Sequence, residues 1–151
     1  MKTPKELAEI SFLFPFKTFS DFESALELIF STSAASVILY TAALKCGTNT
    51  CRRIKKMVKT REGALNSLTK LKDEERWGRI SFQDVDFEKA SGTVVITESF
   101  EAMARRAEQP SCHFFRGFLA GFLSELFRRT VTVTEEKCAA RGDNQCEFTF
   151  G

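Results

Sequence analysis

Glu135-Glu136-Lys137-Cys138-Ala139-Ala140-Arg141-Gly142-Asp143-Asn144-Gln145-Cys146-Glu147-Phe148 places two cysteines on either side of a turn. Gly142 and Asn144 tolerate positive φ, and Asp143 can bond its own neighbouring backbone. The arms read as strands: Thr130 to Cys138 has Val131 and Val133 on one face, and Cys146 to Phe150 has Phe148 and Phe150 on one face. The spacing predicts a β-hairpin that brings Cys138 and Cys146 together.

Upstream, Ser111 can cap a helix over Cys112 to Arg129, with arginines at its C-terminal end. Phe115, Phe118, Leu119, Phe122, Leu123 and Leu126 form one wide apolar face, while Gly117, Ala120, Gly121 and Ser124 form a second. Glycine inside a helix costs about 1 kcal/mol against alanine, so two of them four apart predict a close approach by another backbone or a ligand. Further back, Arg79 to Phe87 and the β-branched run Thr93 to Ser99 predict a first hairpin turning near Gly92, and Phe100 to Ala107 a short helix.

The first half reads as helical. Asp21 to Leu44 predicts a helix capped by Ser20 or Asp21, with a buried stripe of Leu26, Ile29, Phe30, Ser33 and Val37 and a stop at Gly47. Residues 50–72 predict another, with Ile54, Met57, Val58, Leu65 and Leu68 inward and a basic solvated face outward. Residues 1–20 read as a lead-in, with Phe12, Phe14 and Phe16 alternating around Pro15 as an extended segment. The sum is an α+β fold, an antiparallel sheet of two β-hairpins packed with about three long helices. The length of 151 residues suits a single domain over 21–151.

Composition narrows the chemistry. A net charge of +2 is too small to argue for nucleic acid. No apolar run reaches the roughly 18–20 residues of a membrane span, and the N-terminus lacks a signal-peptide pattern. The expected location is the cytoplasm, where thiols stay reduced, so five cysteines point to metal or reactivity rather than disulfides. Cys138 and Cys146 with Cys112, at a helix N-terminus, offer three thiolates; Glu135, Glu136 and His113 are candidates for a fourth ligand. The same three cysteines also fit inert core thiols. Cys46 and Cys51 read as two ordinary thiols. Sixteen phenylalanines against one tyrosine and one tryptophan give apolar bulk that needs no hydrogen-bond partner, as a filled core or as the wall of an apolar pocket.

Three stretches carry a family resemblance. The closing run Glu135–Phe148, the segment Cys112-His113-Phe114-Phe115-Arg116-Gly117-Phe118-Leu119-Ala120-Gly121-Phe122, and the first hairpin with Trp77-Gly78-Arg79-Ile80 and Val94-Val95-Ile96-Thr97-Glu98-Ser99-Phe100 resemble the 4-vinyl-reductase domain family. The resemblance is concentrated in residues 76–150. It implies the architecture of phenol-sensing domains of transcription activators and of transport-particle subunits. It also implies zinc held by Cys112, Glu135, Cys138 and Cys146. In a strict strand Glu136, not Glu135, shares a face with Cys138, so a ligand at Glu135 requires the strand to bend or bulge. Four protein ligands would close the site and make it structural.

The function implied is a sensor or carrier for an apolar or aromatic small molecule. Its pocket is expected between Leu26, Ile29 and Phe30 on one helix and Phe115, Phe118 and Phe122 on another. The chain ends one residue after its last strand, so an output is expected to pass through a homodimer or a separate protein. Two rivals are a protein-interaction subunit and an accessory protein of tetrapyrrole vinyl reduction. With one histidine, no dinucleotide fingerprint and no phosphate-cradling loop, the residues read against an enzyme.

Overall fold

The computed structural model describes residues 16–151; the extended reading of Phe12 and Phe14 lies outside them. In chain order the elements are α1 (Phe16–Phe30), α2 (Thr32–Met57), α3 (Arg61–Glu74), β1 (Arg79–Asp86), β2 (Ser91–Thr97), α4 (Phe100–Met103), α5 (His113–Phe127), β3 (Val133–Lys137), a 3-10 turn (Ala139–Arg141) and β4 (Cys146–Phe150). The strands form one antiparallel sheet in the order β1-β2-β4-β3. This is the expected α+β arrangement of two hairpins, paired through β2 and β4. Ile80, Val94, Ile96, Phe148, Phe150 and Val133 are buried and join the helices in one core.

The helical half departs from the sequence expectation. A single residue, Ser31, separates α1 from α2; its φ of 89° breaks the helix and its hydroxyl accepts the N–H of Ala34. The helix expected to begin near Asp21 begins at Phe16, so α1 crosses the expected end of the lead-in. The stripe Leu26, Ile29, Phe30, Ser33 and Val37 is not buried: Ile29, Phe30, Ser33 and Val37 are exposed and Leu26 is half-buried. The face of α2 that packs inward carries Ala35, Leu39 and Ala43 instead, because small side chains let α5 approach. The basic stretch is not one helix either. Val58 leaves helical geometry, and Thr60 caps α3 by accepting the N–H of Gly63, so Gly63 lies in a first turn rather than mid-helix.

Gly47 does not stop α2. It lies inside that helix, where a Cβ would collide with the carbonyl oxygen of Phe118 and stand 2.8 Å from the Phe122 nitrogen. The reciprocal contacts are as close. A Cβ on Gly117 would overlap the carbonyl oxygen of Tyr40, and one on Gly121 that of Leu44. Two parallel helices thus touch backbone to backbone through three glycines, in the close approach expected for the Gly117–Gly121 pair. At this separation Cα–H groups reach facing carbonyls. We expect Gly121→Ala to lower stability by about 2 kcal/mol or more, since the obstacle is main chain that cannot rotate away. Urea denaturation measures it.

Glu23 on α1 is buried, with Arg105 Nη1 3.6 Å from its Oε1 and neither carboxylate oxygen in a hydrogen bond. Burial pushes its pKa up to about 7, against the partial relief of Arg105. A carboxyl whose folded pKa is raised binds more protons folded than unfolded, so its stabilising share is complete below pH 4.5 and is lost as pH rises through 7. Glu23→Gln is therefore expected to flatten the fall in stability between those values and to stabilise the protein at pH 8 by about 1–3 kcal/mol. Chemical denaturation of both proteins at pH 5 and pH 8 tests this.

Candidate metal centre

The N-terminus of α5 and the closing hairpin meet at one buried point. Cys112 is the N-cap residue of α5, not Ser111 as expected, and its side chain makes no cap hydrogen bond. Cys138 follows β3, Cys146 opens β4, and the 3-10 turn between them lets both sulfurs face Cys112. Cys112 Sγ lies 3.8 Å from Cys138 Sγ and 3.7 Å from Cys146 Sγ. All three thiols are buried.

Glu135 completes the group. The register of β3 on β4 shifts between Glu135, opposite Phe148, and Lys137, opposite Glu147. Two residues of β3 thus occupy the space of one, a β-bulge, and alternation is reset at Glu136. This is the irregularity that a carboxylate at 135 requires. Glu136 faces outward and accepts the hydroxyl of Thr149 at 3.0 Å. Glu135 Oε2 accepts the backbone N–H of Cys112 at 2.9 Å, while its Oε1 is buried without a hydrogen-bond partner. One ligand atom from each of Cys112, Glu135, Cys138 and Cys146 lies within 4.8 Å of all the others.

The donor set fits a tetrahedral cation. Four ligands at about 2.3 Å, the length of a zinc–thiolate bond, stand about 3.8 Å apart along the tetrahedron's edges. The two sulfur separations above match that edge. The orphaned Oε1 is a second indication, because a buried carboxylate oxygen with no partner is costly unless a cation or a donor meets it. Without a cation the thiols share protons unequally. S–H groups of Cys112 and Cys146 point at Cys138 and hold it below the ordinary thiol range. Cys112 is pushed up by the same contacts and by burial, and burial lifts Glu135 to about 7.

The surroundings brace the ligands. Asp143 Oδ2 accepts the Cys138 N–H at 2.8 Å and also pairs with Arg141, and the Ala139 N–H donates to Cys146 Sγ at 3.4 Å. Glu101, fully buried on α4, accepts the N–H groups of Phe114 and Phe115 at 2.8 and 2.9 Å. It thereby caps α5 from another element, a role that the residues flanking the helix do not signal. His113 is half-buried and is not among the four clustered residues. Cys46 is exposed and Cys51 buried, both free thiols on the unbroken α2.

The expected pocket residues do not meet. Phe115, Phe118 and Phe122 are fully buried, whereas Ile29 and Phe30 are exposed. Trp77 fills the space above α5, its ring centroid 5.9 Å from that of Phe115 and 5.1 Å from that of Phe118. Lys72, also buried, lays its ammonium 3.5 Å from the Trp77 ring centre and 2.6 Å from Glu75. An open cavity of about 420 Å³ lies elsewhere, between α3 and β1, with Leu65, Ile80, Phe82 and Val85 beside Glu62 and Asn66.

Residues 93–151 match the 4-vinyl-reductase (4VR) domain. The hairpin and helix that build the cluster lie within or directly before that stretch, in line with the resemblance seen in the sequence. Among curated proteins, the uncharacterized protein MJ0855 of Methanocaldococcus jannaschii is 41% identical over 70 residues, 44% of this chain and 31% of that protein. MJ0150 of the same organism is 49% identical over 37 residues, 24% of this chain and 21% of that one. The matched segments thus span a third or less of those relatives' length. The fold is shared with the phenol-responsive sensory domain of the transcription activator PoxR, solved with phenol: TM-score 0.84, 18% identity, 93% of this chain and 75% of that one. It is also shared with a vinyl-4-reductase family protein of Methanocaldococcus jannaschii (TM-score 0.67, 20% identity, 98% of this chain and 87% of that one). A trafficking protein particle complex subunit 3 from Naegleria fowleri, covalently bound to palmitic acid, gives a TM-score of 0.66 at 14% identity, over 89% of this chain and 93% of that one.

If the cluster binds metal, one divalent ion per chain is expected, and Cys138→Ser should lower its affinity at least tenfold. Chelation should lower the melting temperature of the wild type and not that of the variant. Competition with a chromophoric chelator and a melting scan give both readings.

Proposed function

We propose that this protein is a small-molecule-binding 4VR domain, a sensor or carrier for an apolar or aromatic ligand, in which zinc bound by Cys112, Glu135, Cys138 and Cys146 holds the fold closed. The observation that carries the metal half is the Cys112 sulfur spacing of 3.7–3.8 Å with the unpartnered Glu135 Oε1. Three thiolates favour zinc over magnesium or calcium, which take oxygen ligands. Zinc bound there would offset the charge of the donors, and with four protein ligands it would leave no open position for a reacting group. The chain's own residues do the rest: Glu101 and Asp143 fix the backbone from which the ligands hang. A cytoplasmic setting, with reduced thiols, suits this chemistry.

The binding half rests on the fold shared with the PoxR sensory domain, solved with phenol. Metal analysis of purified wild type and Cys138→Ser, followed by phenol titration monitored through amide NMR shifts, tests the two halves separately. We expect one zinc per wild-type chain, none in the variant, and saturable shifts with phenol. Wild type without stoichiometric zinc removes the metal half. Zinc-loaded protein that shows no saturable response to phenol or to longer alkylphenols removes the ligand half.

A second reading, a protein-interaction subunit or homodimer, has its own support. Leu28, Ile29, Phe30 and Val37 are 88%, 70%, 53% and 63% exposed around the Ser31 joint. Apolar side chains grouped in this way mark interaction surfaces more often than chance exposure.

A further inference from the structure

The small net charge conceals a strong separation of charge. Between Glu27 and Glu62 the chain contains no acidic residue, yet Arg52, Arg53, Lys55, Lys56, Lys59 and Arg61 crowd into the end of that stretch. These residues lie where α2 ends, α3 begins and α5 ends. A cavity of about 210 Å³ opens at that junction, lined by Lys55, Lys59, Thr60, Arg61 and Arg128, with Val58 and Leu126 as an apolar wall. No carboxylate lines it.

Helix-end electrostatics account for part of this charge. Lys55 and Lys56 stand in the last turn of α2, where the macrodipole favours cations, and Lys55 also pairs with Glu125. The same rule runs against Arg61, which opens α3 at the end that repels a cation. It accounts for the charge of Arg128 but not for its conformation. Arg128 occupies the left-handed C-cap of α5, at φ 56°, where glycine or asparagine is the usual residue. Two arginines are thus placed against local preference, and both line the same cavity.

Arg61 is also held in advance. One guanidinium nitrogen donates to Phe87 O at 3.0 Å and the group lies 5.4 Å over the Phe127 ring, which leaves further N–H donors free. Among the described residues, neither Lys59 nor Arg128 has an ion-pair partner. Fixed guanidinium donors, a free lysine, a hydroxyl and the positive end of α3 around a small concavity suit a tetrahedral oxyanion. An extended nucleic acid would want a longer groove with exposed stacking rings, which this surface lacks.

We propose that this cavity is a phosphate-binding site that seats the phosphate group of a small soluble phosphorylated compound, contacted by Lys59, Thr60, Arg61 and Arg128. The site is separate from the cysteine cluster and does not rest on the zinc or phenol readings.

The test is an amide NMR titration with inorganic phosphate at ionic strength held constant with chloride, on the wild type, Arg128→Gly, Lys59→Gln and a control, Lys70→Gln, outside the cavity. The wild type and control should show saturable shifts at Thr60–Glu62 and Arg128. Lys59→Gln and Arg128→Gly should bind at least tenfold more weakly. Arg128→Gly should melt no lower than the wild type in phosphate-free buffer, because glycine relieves the left-handed position; its loss of binding is then not a loss of fold. Equal responses in all four proteins, or no saturable response in the wild type, overturn the proposal. So does tight binding of a single-stranded oligonucleotide without any response to phosphate.

Discussion

Three sulfurs and a carboxylate oxygen, closed off from water at the N-terminus of α5, set the terms for the C-terminal half. Such a group is stable only with protons or a cation among its members. The bulge at Glu136 exists because β3 must pair with β4 and also aim Glu135 inward, and a regular strand cannot do both for residues 135 and 138. The 3-10 turn and the Asp143 bond to Cys138 N–H then fix the far arm. The local irregularities of the hairpin thus follow from one demand, that four donors converge.

That convergence requires α5 to be held as well, and this is the work of the glycine crossing. α5 cannot slide along α2 without driving a carbonyl into a Cα–H, since even a Cβ would overlap main chain at Gly47, Gly117 and Gly121. At its N-terminal end Glu101 binds two of the N–H groups that a helix leaves unpaired. Cys112 is therefore presented from a helix restrained along its length and at its end. The aromatic packing of Trp77 on Phe115 and Phe118 adds a third restraint from the side of the sheet.

What is legible in the sequence follows from the range of the forces involved. The hairpins are readable because turn chemistry and period-two alternation are local, and α5 because its apolar face repeats every turn. Cys112, Glu135, Cys138 and Cys146 are grouped as the family resemblance implies; the residues alone leave Glu136 and His113 open, because a one-residue bulge leaves no mark in the alternation. Gly47 is ambiguous for a related reason. Glycine ends helices and also lets helices touch, and only the residue opposite decides which, here the Phe118 carbonyl. The exposed stripe of α1 and α2 shows that helical periodicity finds an apolar face without saying whether this chain or another covers it. Glu23, Glu101 and Lys72 carry no signal in the sequence because a buried charge is defined by three-dimensional neighbours alone.

The charges are arranged along α5. Glu101 and Glu135 bond the N–H groups at its start, while Arg128, Arg129 and the Lys55–Glu125 pair gather at its close. Each sign sits at the helix end that favours it, so the dipole of one buried helix accounts for much of the polarity of a molecule whose net charge is only +2. The acidic end would be overcharged with three thiolates added, since Glu23 and Glu27 also approach through α1 with Arg105 between them and Glu101. A divalent cation at the cysteines removes that excess in the same place where the helix end, acting alone, offers only about half a positive charge. Sulfur spacing is therefore not the only feature that calls for a cation; the number of carboxyl and thiol groups that one helix terminus must hold calls for it as well.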